Sequence, residues 1–224
     1  MLDVIQFYSE FLSLEKHVDG VQYRALCPFH SETEPSLIIR EDEGEWFCFG
    51  CSEGGGPVTF VEKFLGVNKN YARYVVDFYK EHNKLPIPSK KEVEEYHKVL
   101  LSEPELLKYW KAHGVGEDIL KEFKIGWDIE SKRIVFPIPS SVTEEFYINL
   151  RKYRPAGYEG KKVAKVINIQ SLGENVYYPF KAFKKDEIVI VEGEKDMIVA
   201  RAHGINAVTG TGGGSIPKDD PKIF

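Results

Sequence analysis

The sequence predicts an α+β chain of more than one domain: a small antiparallel metal-binding domain, a short linker, and a mixed α/β core. Three observations carry this. The three cysteines of the 224-residue chain all fall in one stretch, Cys27-Pro28-Phe29-His30, seventeen residues, then Cys48-Phe49-Gly50-Cys51. Hydrophobic periodicity breaks at Asn83-Lys84-Leu85-Pro86-Ile87-Pro88-Ser89, where two prolines interrupt it. Further on, the apolar run Ile188-Val189-Ile190-Val191 leads into Glu192-Gly193, then a helical stretch and the strand-like Ile205 to Thr209, the order of a β-turn-α-β unit.

The elements follow from local pattern. Val4, Phe7, Tyr8, Phe11 and Leu14 form a helical stripe over Leu2 to Leu14. Val21 to Leu26, Ser36 to Arg40 and Glu45 to Cys48 read as short strands of one antiparallel sheet, with Glu43-Gly44 as a turn. Pro57 suits a first helical turn, Val58, Phe60, Val61, Phe64 and Leu65 make a core-facing stripe, and Gly66 ends it. Tyr71 to Tyr79 predicts a second helix, and the domain boundary falls just beyond it. After the linker, helices are expected at Glu92 to Leu101, Glu103 to His113 and Glu117 to Phe123, and strands at Arg133 to Ile138 and Glu145 to Arg151.

Cys27, His30, Cys48 and Cys51 form a ligand set suited to one tetrahedral Zn²⁺. Each C-x₂-ligand pair fits a tight turn that aims two side chains at one point. Four protein ligands leave no open position, so the expected site is structural and its binding free energy is largely folding free energy. With every thiol committed to metal, no disulfide framework is available, which agrees with a reducing compartment.

The net charge of −5 argues against indiscriminate nucleic-acid affinity, so distribution matters more than total. Residues 1–82 hold 7 basic against 14 acidic side chains, or −7. Phe146 to Lys185 holds nine basic residues (Arg151, Lys152, Arg154, Lys161, Lys162, Lys165, Lys181, Lys184 and Lys185) against Glu159 and Glu174, or +7, and is where phosphates are expected to dock. On the first domain, Tyr23, Arg24, Phe29, Arg40, Trp46 and Phe49 offer the π-faces and guanidinium groups on which unpaired bases stack. The bland alternative is that the aromatics fill a small core and the arginines are solvated. No apolar run reaches the ~18 residues of a membrane helix, and Met1-Leu2-Asp3 lacks a basic leader region, so a cytoplasmic location and no membrane partner are expected.

Cys27 to Leu37, Trp46 to Cys51 and Gly54-Gly55-Gly56-Pro57-Val58-Thr59-Phe60 together resemble the Cys-His-Cys-Cys (CHC2) zinc ribbon of DnaG-type primases. The resemblance implies a domain at residues 1–82 that engages single-stranded DNA template, followed by a linker at 83–90. Tyr109 to Gly114, Phe123 to Trp127, Arg133 to Pro137 and Lys165 to Asn168 resemble, more loosely, the opening half of a primase RNA polymerase domain at 91–185. That likeness implies Arg151 and Lys165 against template backbone and incoming nucleotides, and the basic band adds Lys152 as a nucleic-acid contact. The string from Ile188 to Asp196 resembles the first motif of Toprim domains and implies that Glu192 assists phosphoryl transfer at the start of a Rossmann-like sheet at 186–224. Gly210-Thr211-Gly212-Gly213-Gly214-Ser215 lacks the arrangement of a P-loop and reads as a loop.

A Toprim site also needs a strand ending in Asp-x-Asp and a further acidic residue to hold Mg²⁺ or Mn²⁺. Asp219 and Asp220 are adjacent and flanked by Pro217 and Pro221, which suits a turn, so the catalytic cluster and the end of the Toprim domain are expected to be missing from these residues. The implied reaction is template-directed synthesis of short RNA primers from ribonucleoside triphosphates, with a replicative helicase as partner in cis or in trans. Two alternatives stay open: a non-catalytic single-stranded-DNA-binding or helicase-loading module, and a Toprim nuclease.

Overall fold

A computed structural model describes residues 1–17, 20–143, 145–155, 166–168, 177–179, 182 and 187–211. The chain divides into two compact units, Met1–Ile87 with Ser140–Thr143, and Pro88–Pro139 with Glu144–Phe224.

The first unit opens with α1 (Val4–Ser9), capped by Asp3, whose side chain accepts from the Gln6 amide. The helix is shorter than the apolar stripe predicts. Ser9 Oγ donates to the Ile5 carbonyl at 2.8 Å, a local bond that competes with continuation, and the chain turns after Glu10 into β1 (Glu15–Lys16). A five-stranded antiparallel sheet follows in the order β1-β2-β3-β4-β5, with β2 at Gln22–Ala25, β3 at Leu37–Arg40, β4 at Trp46–Cys48 and β5 at Gly54–Gly55. Cross-strand register pairs Ala25 with Leu37, Leu37 with Cys48, and Ile39 with Trp46. All five are buried, so period-2 alternation makes one face of the sheet core and frees the other.

That core is closed by α2 (Pro57–Leu65) and α3 (Lys69–His82). Proline opens α2 and Gly66, at φ 65°, ends it in the left-handed region, as the sequence predicts. Asn68 caps α3 by accepting from the Tyr71 amide, and Asn83 ends it at φ 51°. Phe60 is the hub: its ring centroid lies 5.0 Å from Tyr8, 5.7 Å from Phe29 and 5.8 Å from Trp46. Tyr8 donates its hydroxyl to the Gly44 carbonyl at 2.9 Å, pinning α1 to the β3–β4 turn; burial pushes its pKa well above the usual phenol range.

The second unit begins with three helices, α4 (Lys90–Leu101), α5 (Pro104–Ala112) and α6 (Glu117–Glu122), each within a few residues of its predicted span. They precede a four-stranded antiparallel sheet, β6 (Gly126–Asp128), β7 (Arg133–Pro139), β8 (Tyr147–Tyr153) and β9 (Val166–Asn168), in that order. A β-carbon at Gly126 would stand 2.6 Å from Tyr96 Cβ, so glycine is what lets β6 cross α4 this closely. The last sheet holds β10 (Tyr177–Tyr178), β12 (Ala207–Gly210) and β11 (Val189–Val191) in the order β10-β12-β11. β11 and β12 are parallel, paired Val189 to Ala207 through Val191 to Thr209, and joined by α7 (Glu194–Ala202). The unit is thus β-turn-α-β, but among the described residues β11 pairs on one side only, and Val189 and Ile190 are exposed rather than buried.

Candidate zinc centre and nucleic-acid interface

The turn after β2 carries Cys27 and His30; Cys48 ends β4, and the turn after it carries Cys51. In each turn a backbone amide reaches back to the first thiol: Phe29 N to Cys27 Sγ at 3.5 Å, Cys51 N to Cys48 Sγ at 3.4 Å. The β2–β3 and β3–β4 pairings bring the turns together. Cys27 Sγ and Cys51 Sγ stand 3.9 Å apart, Cys48 Sγ and His30 Nδ1 3.8 Å, and all four ligand atoms lie within 4.8 Å of one another. Zinc–sulfur bonds of ~2.3 Å in a tetrahedron set ligand–ligand edges of roughly 3.8 Å. The quartet therefore fits zinc, and the chain carries a structural zinc site. Burial pushes the Cys27 thiol up to about 12. At Cys48 burial works the same way, but bonds from Ser36 and the Cys51 amide hold the thiol down to about 7. Binding a metal to these thiols releases protons, so affinity falls with falling pH.

The free face of the sheet carries Arg24, Ile38 and Phe47 in one cross-strand row and Gln22 with Arg40 in the next. Phe47 is 43% and Phe49 72% exposed; their rings meet edge to face at 5.0 Å. With Ile38 and Arg40 they border a concavity of ≈ 530 Å³ over Gly54 and Gly55. Arg24 lies 3.5 Å from Glu15, and Arg40 lies 3.3 Å from Asp42 and 2.9 Å from Glu43, all on the surface. Trp46 is not part of this face. It is 2% exposed, packs 5.1 Å from Phe29, and donates Nε1–H to the Gly56 carbonyl at 3.3 Å. Because Cys48 must point inward to meet the other ligands, Trp46, two residues earlier, points inward with it.

In the second unit Glu192 follows β11 at its C-terminal end and is exposed, just before the first turn of α7. Arg151 and Lys152, expected against template backbone and nucleotides, are internal, 6% and 8% exposed. Arg151 pairs with Glu194 and donates to the Thr211 carbonyl. Lys152 Nζ lies 2.7 Å from Asp128 Oδ2 and 3.0 Å from the Tyr96 hydroxyl. Adjacent residues of a strand face opposite ways, and both faces of β8 are covered here, so each cation is matched by a carboxylate from another element. Lys161, Lys162, Lys165, Lys181, Lys184, Lys185, Asp219, Asp220 and the glycine run from Gly212 lie outside the described residues.

Residues 1–95 match the family model of the CHC2 zinc finger, the DnaG zinc ribbon. The DNA primase of Aquifex aeolicus is 23% identical across the whole of this chain and 54% of its own length; that of Clostridium acetobutylicum is 25% identical across 99% and 46%. Its first 95 residues thus match the DnaG zinc ribbon, and the chain as a whole is similar in sequence to DNA primases. It spans about half the length of these curated relatives. The solved zinc-binding and RNA polymerase domains of the Aquifex aeolicus primase align with 96% of this chain and 65% of that one, at 24% identity and a TM-score of 0.44.

Three residues escape sequence reasoning. Phe47 is the outward neighbour of Trp46, and strand parity alone would have found it. Glu194, buried against Arg151, carries no local signal because its partner lies on β8. Glu32 accepts from the Cys27 amide at 2.6 Å and from His30 Nε2 at 2.9 Å; its only signal is a carboxylate two residues past a histidine ligand.

Proposed function

We propose that this chain supplies the template-reading zinc domain and the first part of the catalytic core of a DNA primase, which joins ribonucleotides on single-stranded DNA. The observation that carries this reading is the convergence of Cys27, His30, Cys48 and Cys51 into one closed ligand set inside a segment matching the CHC2 zinc finger. In this reading those four residues hold one Zn²⁺, and the domains run 1–82, 83–90, 91–185 and 186–224. The zinc supplies rigidity rather than chemistry, fixing the two turns and so the sheet between them. Phe47 and Phe49 present rings to unpaired bases, and Arg24 and Arg40 exchange their surface carboxylates for phosphate. Lys165 joins them as a backbone or nucleotide contact.

The β11–α7–β12 unit is the opening of a Toprim-type sheet, and Glu192 stands at the strand end where such sheets place chemistry. There it assists transfer of the nucleotidyl group beside Mg²⁺ or Mn²⁺. The partners are ribonucleoside triphosphates and a replicative helicase, in a cytoplasmic replication complex, nucleoid-associated or phage-encoded. No helix among the described residues is long and apolar enough to cross a membrane. A second reading, a non-catalytic template-binding or helicase-loading module, is favoured by one observation: among the described residues the Cys/His quartet is the one group of three or more side chains able to hold a metal.

The test is anisotropy of dye-labelled single-stranded DNA. Phe47→Ala and Phe49→Ala are each expected to weaken binding about fivefold or more, from a stacking contribution of ~1–3 kcal/mol per base. Arg40→Ala is expected to reduce the log–log salt slope by about 0.7. Unchanged affinity in all three variants removes the ribbon face from template binding.

A further inference from the structure

An imidazole that offers Nδ1 to a metal has to carry its proton on Nε2, and that proton needs an acceptor when the ring is partly buried. His30 turns Nδ1 toward Cys48 Sγ and Nε2 toward Glu32 Oε2, 2.9 Å away. Glu32 is not one of the four ligands, yet its carboxylate touches three of them directly or through one atom. Oε1 accepts from the Cys27 amide at 2.6 Å and the Ser36 amide at 3.2 Å. Oε2 accepts from Ser36 Oγ at 2.5 Å, and that hydroxyl lies 3.2 Å from Cys48 Sγ. The carboxylate side chain is only 12% exposed. Gly50 closes the opposite side, since a β-carbon there would stand 2.5 Å from His30 Nε2 and 2.9 Å from Ser36 Oγ. The ring thus has one orientation that satisfies both nitrogens.

We propose that Glu32 is a positioning residue of the zinc centre: it holds His30 in the Nε2–H form, aims the Nδ1 lone pair at the metal, and so sets zinc affinity. The proposal rests on the zinc-ligand reading above. The competing account is that Glu32 merely closes the loop by accepting from the Cys27 and Ser36 amides. The two accounts differ in whether the effect of Glu32 depends on an imidazole at position 30.

Zinc affinity of the full 224-residue chain is measured by competition with a chromophoric chelator, alongside the absorption bands of the Co²⁺-substituted protein. Glu32→Gln keeps an oxygen for the two amides but can turn an NH₂ toward Nε2–H. It is expected to weaken zinc binding about 10- to 100-fold and to shift the Co²⁺ bands. In a His30→Cys background, where no Nε2–H exists, the same Glu32→Gln change is expected to cost less than twofold. Ser36→Ala, which removes a bond to Glu32 without touching the His30 contact, is expected to cost less than Glu32→Gln and keeps the comparison readable if Glu32→Gln is recovered unfolded. An equal loss from Glu32→Gln in both backgrounds, an unchanged Glu32→Gln protein, or a Ser36→Ala loss as large as that of Glu32→Gln overturns the proposal while the zinc reading stands. A parent chain that takes up no zinc overturns both.

Discussion

A buried cation and its carboxylate show how a single residue's surroundings override its type. Lys152 and Asp128 were legible only as charges, because the bond that defines them joins positions 24 apart. Burial works against the charge on Asp128, but the Lys152 ammonium and two bonds from Ser131 hold its carboxyl below the ordinary range. Burial likewise opposes the charge on Lys152, yet Asp128 and Tyr96 hold its pKa above the usual lysine value. The Asp128 contribution is present above the unfolded carboxylate value of ~3.9 and lost as pH falls through the lower folded value. The Lys152 contribution is present below ~10.4 and lost as pH rises through the higher folded value. Urea unfolding is therefore expected to show a stability plateau between about pH 4 and 10 from this pair. Asp128→Asn at pH 7 is expected to cost about 3 kcal/mol, because the ammonium is left buried without its counter-charge. A loss under 1 kcal/mol would mean that water reaches the pair.

At the scale of elements, what was legible was what a local rule governs. Pro57 and Gly66 bound α2 because one supplies a preset φ and the other tolerates a positive one. The four zinc ligands were legible because two-residue gaps encode a turn. β1, β5 and β10 have two residues each, too few to display a period, and they exist because longer neighbours offer them a ladder. Trp46 and Phe47 divide by parity once Cys48 is assigned inward, a step the sequence allows but aromatic content obscures. The β11–α7 turn carries the functional test at this scale. In any preparation that makes primers, Glu192→Gln is expected to reduce synthesis by ~10²-fold while leaving single-stranded DNA affinity within about twofold. A variant that synthesises like its parent favours the binding-module reading.

At the scale of the whole molecule, the two units draw on different sources of stability. The first combines a core of aromatic and aliphatic side chains with a zinc site, and structural zinc commonly contributes ~10 kcal/mol or more to such small domains. The second holds no metal-binding quartet among its described residues. A chelator at neutral pH is therefore expected to melt the first unit alone. Trp46 reports on one unit and Trp110 and Trp127 on the other, so tryptophan-to-phenylalanine variants resolve the two transitions by fluorescence. A single transition lost all at once on chelation would instead show that the units unfold as one. The edge strand β11 has a practical consequence of a colloidal kind. Val189 and Ile190 lie exposed on β11, which among the described residues pairs with β12 alone, and an apolar edge of this sort templates pairing with another copy. Light scattering from the concentrated chain is expected to rise faster than its concentration, and Ile190→Lys to suppress the rise by placing a charge where two edges would meet.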